Sequence, residues 1–580
     1  MNTSSNRTLK AITSFGLILT SIALIMIQGN PASGYEISIY RGFSSLIWAI
    51  LIISSIGSIG VITFQAFSIP RSGLWKVAFM NLILNGFIIV SLHALRGYYL
   101  YTGIDQLYHL NVIQSLVHSG NLGESNVYPI AHILIAACSL ISNIDPHYLI
   151  QYLPSFFSIL VLMVIIYLLA KQIMRLEAEI LIAAVATYVF FFNSLHSQFY
   201  PQSFSVLIFI FAVYVYIKAL SANQRKYIIL LTVVLLILPL SHPTSALILI
   251  PLLLIAEIAR LYLFRNYLKT QSTHGYYIPI ILSAVVFVGW VSFFRLFSEK
   301  TVHLKTIFLD SYSNPNLATT VDIADKLSLV EIAQYNIKMY GENMFYLGLT
   351  FICILLFLNA IWYKKEIVYQ YKYLFLLLVA TVACIPLYLF TVLGIGSVTI
   401  GRALHLMYPI LFTPLFVSFV ICHFQKKYSP KGTIVIIIVL FAIVSTLSTF
   451  SVYHSPWTYS ASWQMTKMDA NGVDWFVEKS QSTYPHAIMG IETLKLGRSS
   501  PLSKSIITEA SSIESQGPLG GAYLLFNKKS RDICDEPDAT KATVNPFKSL
   551  GFGKYDLLNV KNNKRTLEIY SNGEMNIWLV

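Results

Sequence analysis

The chain has 580 residues, 56% of them hydrophobic and only 12% charged, with a mean hydropathy of +0.64. Single cores stop growing near roughly 250–300 residues, so a soluble protein could not hide this much apolar surface and an ordinary water-soluble enzyme is excluded. The net charge of +13 has to be judged by where the charges sit.

Apolar stretches of about 18 residues or more, each able to cross ~30 Å of hydrocarbon, recur through the first three quarters of the chain. About thirteen spans are predicted, at 11–28, 44–66, 75–96, 148–170, 178–193, 201–219, 226–241, 244–264, 277–297, 344–363, 372–393, 402–422 and 432–452. The first follows a weakly basic start, as a signal peptide would, but no small-residue cleavage site comes after it, and it is read as an uncleaved span. With the N-terminus in the cytoplasm, Arg7/Lys10, Arg71/Lys76, Lys171/Arg175, Lys218/Arg225/Lys226, Arg260/Arg265/Lys269, Lys364/Lys365/Lys372 and Lys426/Lys427/Lys431 fall at inner ends. Outer connections carry few basic residues, chiefly Arg41, Arg96 and Arg402. This is the positive-inside bias. The excess charge is therefore a topology signal, and no nucleic-acid partner is expected. The five cysteines form no disulfide framework or zinc spacing.

The expected fold is a polytopic α-helical membrane protein with a small C-terminal extracytoplasmic α/β domain. Residues 1–74 hold two N-terminal spans without obvious chemistry. Residues 75–453 form the transmembrane body, with sizeable outer loops at 97–147 and 298–343. Residues 454–580 are polar and free of any spanning stretch. In that last region Asp474-Trp475-Phe476-Val477 fits a short helix, and Gly521–Phe526 reads as a buried strand. Arg565–Tyr570 and Met575–Val580 flank Ser571-Asn572-Gly573-Glu574, and Asn-Gly between two β-rich runs is a strong hairpin signal.

The first outer loop is the most informative stretch. Asp105 lies shortly beyond the third span and so at the outer membrane border. After it Leu107, Leu110, Val112, Ile113, Leu116 and Val117 recur at helical spacing, with His109, Gln114 and Ser115 between them. That pattern suits an amphipathic helix lying along the interface, ended by Gly120 and Gly123. A second apolar piece, 130–142, is too short to span and suits another interfacial or re-entrant helix. Transfer of a sugar to a hydroxyl needs a group to take the hydroxyl proton and charge to hold a phosphate leaving group. A partly buried carboxylate can do the first. Pattern alone favours Asp105 as the N-cap of the helix starting at Gln106, and the two roles are compatible.

Asp105-x-x-Tyr108-His109 followed by Gly120, then Tyr128-Pro129-x-x-His132, resembles the opening loop of prokaryotic, particularly archaeal, GT-C glycosyltransferases. The resemblance continues in Gln198-x-x-Pro201-Gln202, Ser241-His242-Pro243-Thr244, Gly401-Arg402, and the closing Tyr570-Ser571-Asn572-Gly573-Glu574 with Ile577-Trp578. It covers most of 75–580, and the order of the motifs on one predicted face carries it. The resemblance implies a GT-C-like membrane domain and a carboxylate in the first outer loop, Asp105, acting as catalytic base or metal ligand. It implies inverting transfer of a monosaccharide from a polyprenyl-phosphate donor to a glycan, lipid or protein acceptor. Relatives with two adjacent acids differ here, since Gln106 follows Asp105, so a divalent cation (Mg or Mn) held by Asp105 with Glu124 stays open. The Trp-Trp-Asp signature of oligosaccharyltransferases is missing; Asp474-Trp475-Phe476 is not that motif.

Other residues have two readings each. Arg402, with His405 one turn on, can hold a lipid phosphate through its planar fork or anchor at headgroups. His132 and His242 are substrate contacts or satisfied structural histidines. Asp145, like Glu124, is a second carboxylate or a solvated loop acid. Gln198 and Gln202 sit four apart across Pro201 and can share a helical face towards a sugar. His303, Lys305 and Asp310 are a donor-binding set or solvated loop charge. The rival functions are a lipid-sugar flippase or polytopic transporter, which needs ionisable groups or broken helices near the midplane, and a non-catalytic scaffold carrying a sugar-binding outer domain.

Overall fold

The computed structural model describes residues 3–68, 72–101, 105–123, 126–189, 196–263, 275–294, 329–394, 407–425, 430–458, 461–479, 486–488, 507–509, 523–529, 532, 561–562 and 566–579. All thirteen predicted apolar stretches fall on helices, in chain order α1 (Thr3–Gln28), α2 (Ser45–Ala66), α3 (Leu74–Val90), then α6 (Pro146–Ile173), α7 (Glu177–Val189), α8 (Pro201–Ala222), α9 (Arg225–Ser241), α10 (Pro243–Leu263), α11 (Tyr277–Ser292), α12 (Leu329–Tyr363), α13 (Lys372–Gly394), α14 (Tyr408–Gln425) and α15 (Pro430–Thr449). Between α3 and α6 lie α4 (Asp105–Ser119) and α5 (Pro129–Ser142). Among the described residues eight helices are long and apolar enough to cross a membrane, against the thirteen spans expected. Ile25, Ile258 and Ile436 are 69%, 56% and 69% exposed on these helices. Such side chains are a liability in water and are at home against hydrocarbon. The architecture is that of a polytopic helical membrane protein.

Helix reaches into the segment 298–343 that was expected to be a second outer loop. Helix α12 begins at Leu329 and runs 35 residues, about 50 Å at 1.5 Å per residue, so its first turns continue past a bilayer's apolar width. Residues 298–328, with His303, Lys305 and Asp310, lie outside the described residues.

The two N-terminal helices are joined to α3 by polar side chains. Thr20 Oγ1 meets Ser54 Oγ at 2.8 Å and lies 3.0 Å from both Asn81 Oδ1 and Asn85 Oδ1. Asn81 Nδ2 donates to Ser54 and Ser58, and Asn85 Nδ2 to Ser54. Gly16 permits this approach, since a Cβ there would stand 3.1 Å from Asn81 Nδ2. In a bilayer the apolar effect does not drive helices together, so small residues and interhelical hydrogen bonds do.

A second junction binds the α1–α2 connection to the C-terminal region. Arg96 Nε donates to Glu36 Oε2 at 2.7 Å and its Nη2 pairs with Glu36 Oε1, while Nη1 donates to the Asn30 carbonyl at 2.7 Å. Tyr98 Oη donates to the same carboxylate at 2.7 Å. Position 42 must be glycine, because a Cβ would stand 2.7 Å from Arg96 Nη2. On the far side of the loop the Tyr35 N–H donates to Glu574 Oε1 (2.7 Å), and the Glu36 N–H donates to Gln464 Oε1 (2.6 Å). Gln464 Nε2 returns a bond to the Gly34 carbonyl at 2.8 Å.

The C-terminal region is the small α/β unit expected. β1 (Leu100–Tyr101) pairs antiparallel with β2 (Gln464–Met465), and α16 (Lys467–Lys479) carries Trp475 and Phe476. β3 (His486–Ile488), β4 (Ile507–Glu509), β5 (Tyr523–Asn527), β6 (Leu567–Ser571) and β7 (Met575–Leu579) form a mixed sheet in the order β4-β3-β5-β7-β6, with β3 parallel to both β4 and β5. β6 and β7 are the predicted hairpin, with Gly573 at φ +90° in its turn.

Two outcomes test these junctions. Asn81→Leu keeps the branched shape but removes the bonds to Thr20, Ser54 and Ser58, and is expected to lower stability by about 1–3 kcal/mol, read as an earlier thermal transition in detergent. Arg96→Met leaves Glu36 buried and unpaired, costing roughly 3–5 kcal/mol. The double variant Glu36→Gln/Arg96→Met should recover part of that loss.

Candidate functional site

Residues 105–142, expected as the first outer loop, fold as two helices under the C-terminal unit. In α4 the inward positions Leu107, Leu110 and Ile113 are buried against Ala131, Ile135 and Ala136 of α5. Phe476 of α16, Leu525 of β5 and Met575 and Ile577 of β7 belong to the same cluster. The apolar face of α4 is thus covered by protein, whereas sequence pattern had it facing the interface. Gly120 ends the helix at φ +69°. Helix α5 starts with Pro129 at its first position, where the missing N–H costs nothing, and ends at Asn143 in the left-handed region.

The segment leading into α4 is held from α6. His147 Nε2 lies 2.6 Å from the Tyr99 carbonyl and Gln151 Nε2 donates to the Tyr98 carbonyl at 2.9 Å. Asp145 caps α6, accepting from the His147 N–H at 2.8 Å. The helix starts at Asp105 itself, one residue earlier than the capping reading had it; the Asp105 side chain lies outside the described residues. So do Glu124, Arg402 and His405.

His109 and His132 come together. His109 Nδ1 lies 2.9 Å from His132 Nε2, and His132 Nδ1 lies 3.0 Å from Asn126 Oδ1. The Asn126 oxygen is identified by its second contact, the Tyr128 N–H at 3.0 Å, which only an acceptor can make. It follows that His132 carries its proton on Nδ1 and presents a bare Nε2. His109 must then donate from Nδ1, which leaves its own Nε2 with a lone pair. Among the described residues no group meets that nitrogen. Burial pushes His109 down to about 3, helped by repulsion from His132 and His242, and pushes His132 down to about 4. Both rings are neutral at ordinary pH, and the chain Asn126–His132–His109 is oriented as a proton acceptor.

Aromatic rings wall this chain. His109 stands edge-on to Tyr128 (6.0 Å) and Phe199 (5.9 Å), and His242 stacks on Tyr128 at 5.2 Å with planes 5° apart. Tyr108 is half exposed beside His109. Three expected residues, His109, His132 and His242, therefore meet around Tyr128.

Gln198 and Gln202 do not share a helical face. Helix α8 begins at Pro201, so Gln198 stands ahead of it and accepts from Tyr200 Oη at 2.6 Å. Gln202 is buried with no partner for its Nε2 among the described residues, and the same holds for Asn126 Nδ2. Buried donors of this kind call for a ligand or water.

A narrow groove of about 20 Å³, room for little more than one water, lies between α5, α6 and α8. Leu134, Leu153, Phe157 and Phe204 make it apolar, Gln198 and Ser203 lie at its polar points, and Phe199 is shared with the histidine pair. Its α6 wall departs from α-helical geometry, because Pro154 removes a helix donor and Phe156–Val161 form a π-turn. Asn126 and Phe199 escaped the sequence reading. The Asn-x-Tyr-Pro run is a side-chain-to-backbone turn signal that marked Asn126, while Phe199 had none.

Among the described residues no group of three or more His, Cys, Asp or Glu stands where it could hold a metal ion. Asp105 and Glu124, the pair named for a divalent cation, are not among them.

Because both histidines titrate lower when folded, the unfolded chain binds more protons below about pH 6.5. Stability is full above that pH and falls steadily towards pH 4, by roughly 2 kcal/mol per ring at pH 5. Thermal midpoints across this window should drop, and the His109→Gln/His132→Gln variant should flatten the slope. No known protein-family model matches the chain, and no curated protein matches it.

Proposed function

We propose that this chain is an inverting glycosyltransferase that moves a monosaccharide from a polyprenyl-phosphate carrier to a glycan, lipid or protein acceptor on the outer face of the cell membrane. In this reading the N-terminus is cytoplasmic and the C-terminal unit extracytoplasmic. Asp105 assists the acceptor hydroxyl as it attacks the anomeric carbon, and Arg402 holds the lipid phosphate as the carbon–oxygen bond to it breaks. His109 sits one helical turn after Asp105, on the same side of α4.

One arrangement supports the reading. The helix that starts at Asp105 brings the oriented His109–His132 pair against Phe199, and Phe199 is also a wall of an apolar groove. A proton-accepting edge and a narrow apolar groove thus lie one side chain apart, the two kinds of surface that a lipid-linked sugar would meet. Among the described residues the carboxylates set into the helical bundle, Glu179 and Glu257, are satisfied at helix ends, by Tyr371 and by Arg260. Midplane ionisable groups of the kind a transporter uses are not seen there.

Asp105→Asn tests the proposal. Transfer should fall by at least about 100-fold while the variant inserts and accumulates normally, and the surface glycans of a strain carrying it should match those of a deletion strain. Unchanged glycan output would leave a flippase or scaffold standing in its place.

A further inference from the structure

We propose that the lysine-rich end of the helical bundle carries a binding site for one phospholipid with an anionic headgroup, remote from the histidine pair. A cavity of about 260 Å³ lies between the last turns of α12, the helical turn Glu366–Gln370 and the end of α14. Its floor is apolar, made by Leu356, Ile367, Val420 and Phe424, and its rim carries Asn359 and Lys364.

The floor is firmly built. Phe419 meets Phe357 edge-on at 5.0 Å and Tyr371 at 4.9 Å, and Tyr371 Oη donates to the buried Glu179 carboxylate at 2.6 Å. His423 stacks on Phe419 from the cavity side. The mouth has the composition of a membrane border. Trp362 and Tyr363 are 82% and 78% exposed, as belt residues at headgroup level are, and Lys364 and Lys365 follow directly. Among the described residues no carboxylate lies within ion-pair distance of Lys364.

An apolar floor with an unneutralised cation at its rim selects an amphiphile whose polar end is anionic. A water-soluble phosphate would satisfy Lys364 and leave Leu356, Ile367, Val420 and Phe424 uncovered. A choline lipid would cover the floor but bring its own cation to the lysine. A phospholipid with an anionic headgroup does both, with its phosphate at Lys364 and Asn359 and the upper acyl chain along the floor.

The test uses the whole protein, reconstituted in vesicles of phosphatidylcholine with a minor fraction of phosphatidylglycerol, then extracted and weighed by native mass spectrometry. One phosphatidylglycerol per chain should be retained in preference to phosphatidylcholine. Lys364→Gln should weaken retention about fivefold, the worth of one cation at an anionic surface. Ile367→Trp fills the floor while keeping every charge and should abolish it. Lys365→Gln, outside the cavity lining, should leave it unchanged. Equal retention of both lipids, equal losses in the two lysine variants, or full retention by Ile367→Trp would each overturn the site. A rise in the unfolding midpoint with inorganic phosphate alone, as large as that with phosphatidylglycerol, would overturn the lipid assignment. Midpoints in phosphatidylcholine alone confirm that each variant is folded.

Discussion

The arrangement of the outer loop rests on one ion pair, Arg96 with Glu36. Arg96 is 4% and Glu36 19% exposed, so neither charge keeps its hydration. Such a pair repays desolvation only if its remaining donors and lone pairs are satisfied. Here they are, by the Asn30 carbonyl and the Tyr98 hydroxyl. The pair sits where three parts of the chain converge: the α1–α2 connection, the strand that leads to Asp105, and the C-terminal unit behind Gln464 and Glu574. The first two spans, which had no chemistry in sequence, thus end in the loop that fixes the start of α4.

From that anchor the candidate site is assembled by short-range constraints. β1 pairs with β2 four residues before Asp105, and α6 binds the Tyr98 and Tyr99 carbonyls. The C-terminal unit then closes over α4 through Phe476, Leu525 and Ile577. The neutral histidine pair is a product of that closure, because burial both removes water and fixes the hydrogen-bond direction from Asn126 outwards.

The helices were legible in sequence because a bilayer demands long apolar runs, and soluble folds do not repeat them along most of a chain. The hairpin of β6 and β7 was legible from its Asn-Gly turn, and Asp105 as a helix start from capping chemistry. Hydropathy was blind to the seam of Thr20, Ser54, Asn81 and Asn85, since isolated small polar residues barely change the mean of a span. It also missed the early start of α12, which is helical without being apolar. The meeting of His109 and His132 across 23 residues depends on tertiary packing, which periodicity does not record. The Gln198–Gln202 pairing failed for a local reason, because a proline at position 201 opens a helix and leaves the preceding residues outside it.

The π-turn in α6 has a consequence for how this chain tolerates change. A π-turn holds one residue more than an α-turn would, and each residue rotates a helix by about 100°. The first part of α6 therefore shows its neighbours a different face from the one that regular winding would give. Loss of a single residue between 156 and 161 would leave hydropathy and helix content almost untouched. It would nonetheless swing His147 and Gln151 away from the Tyr98 and Tyr99 carbonyls, so in this short stretch length, as well as composition, is under constraint.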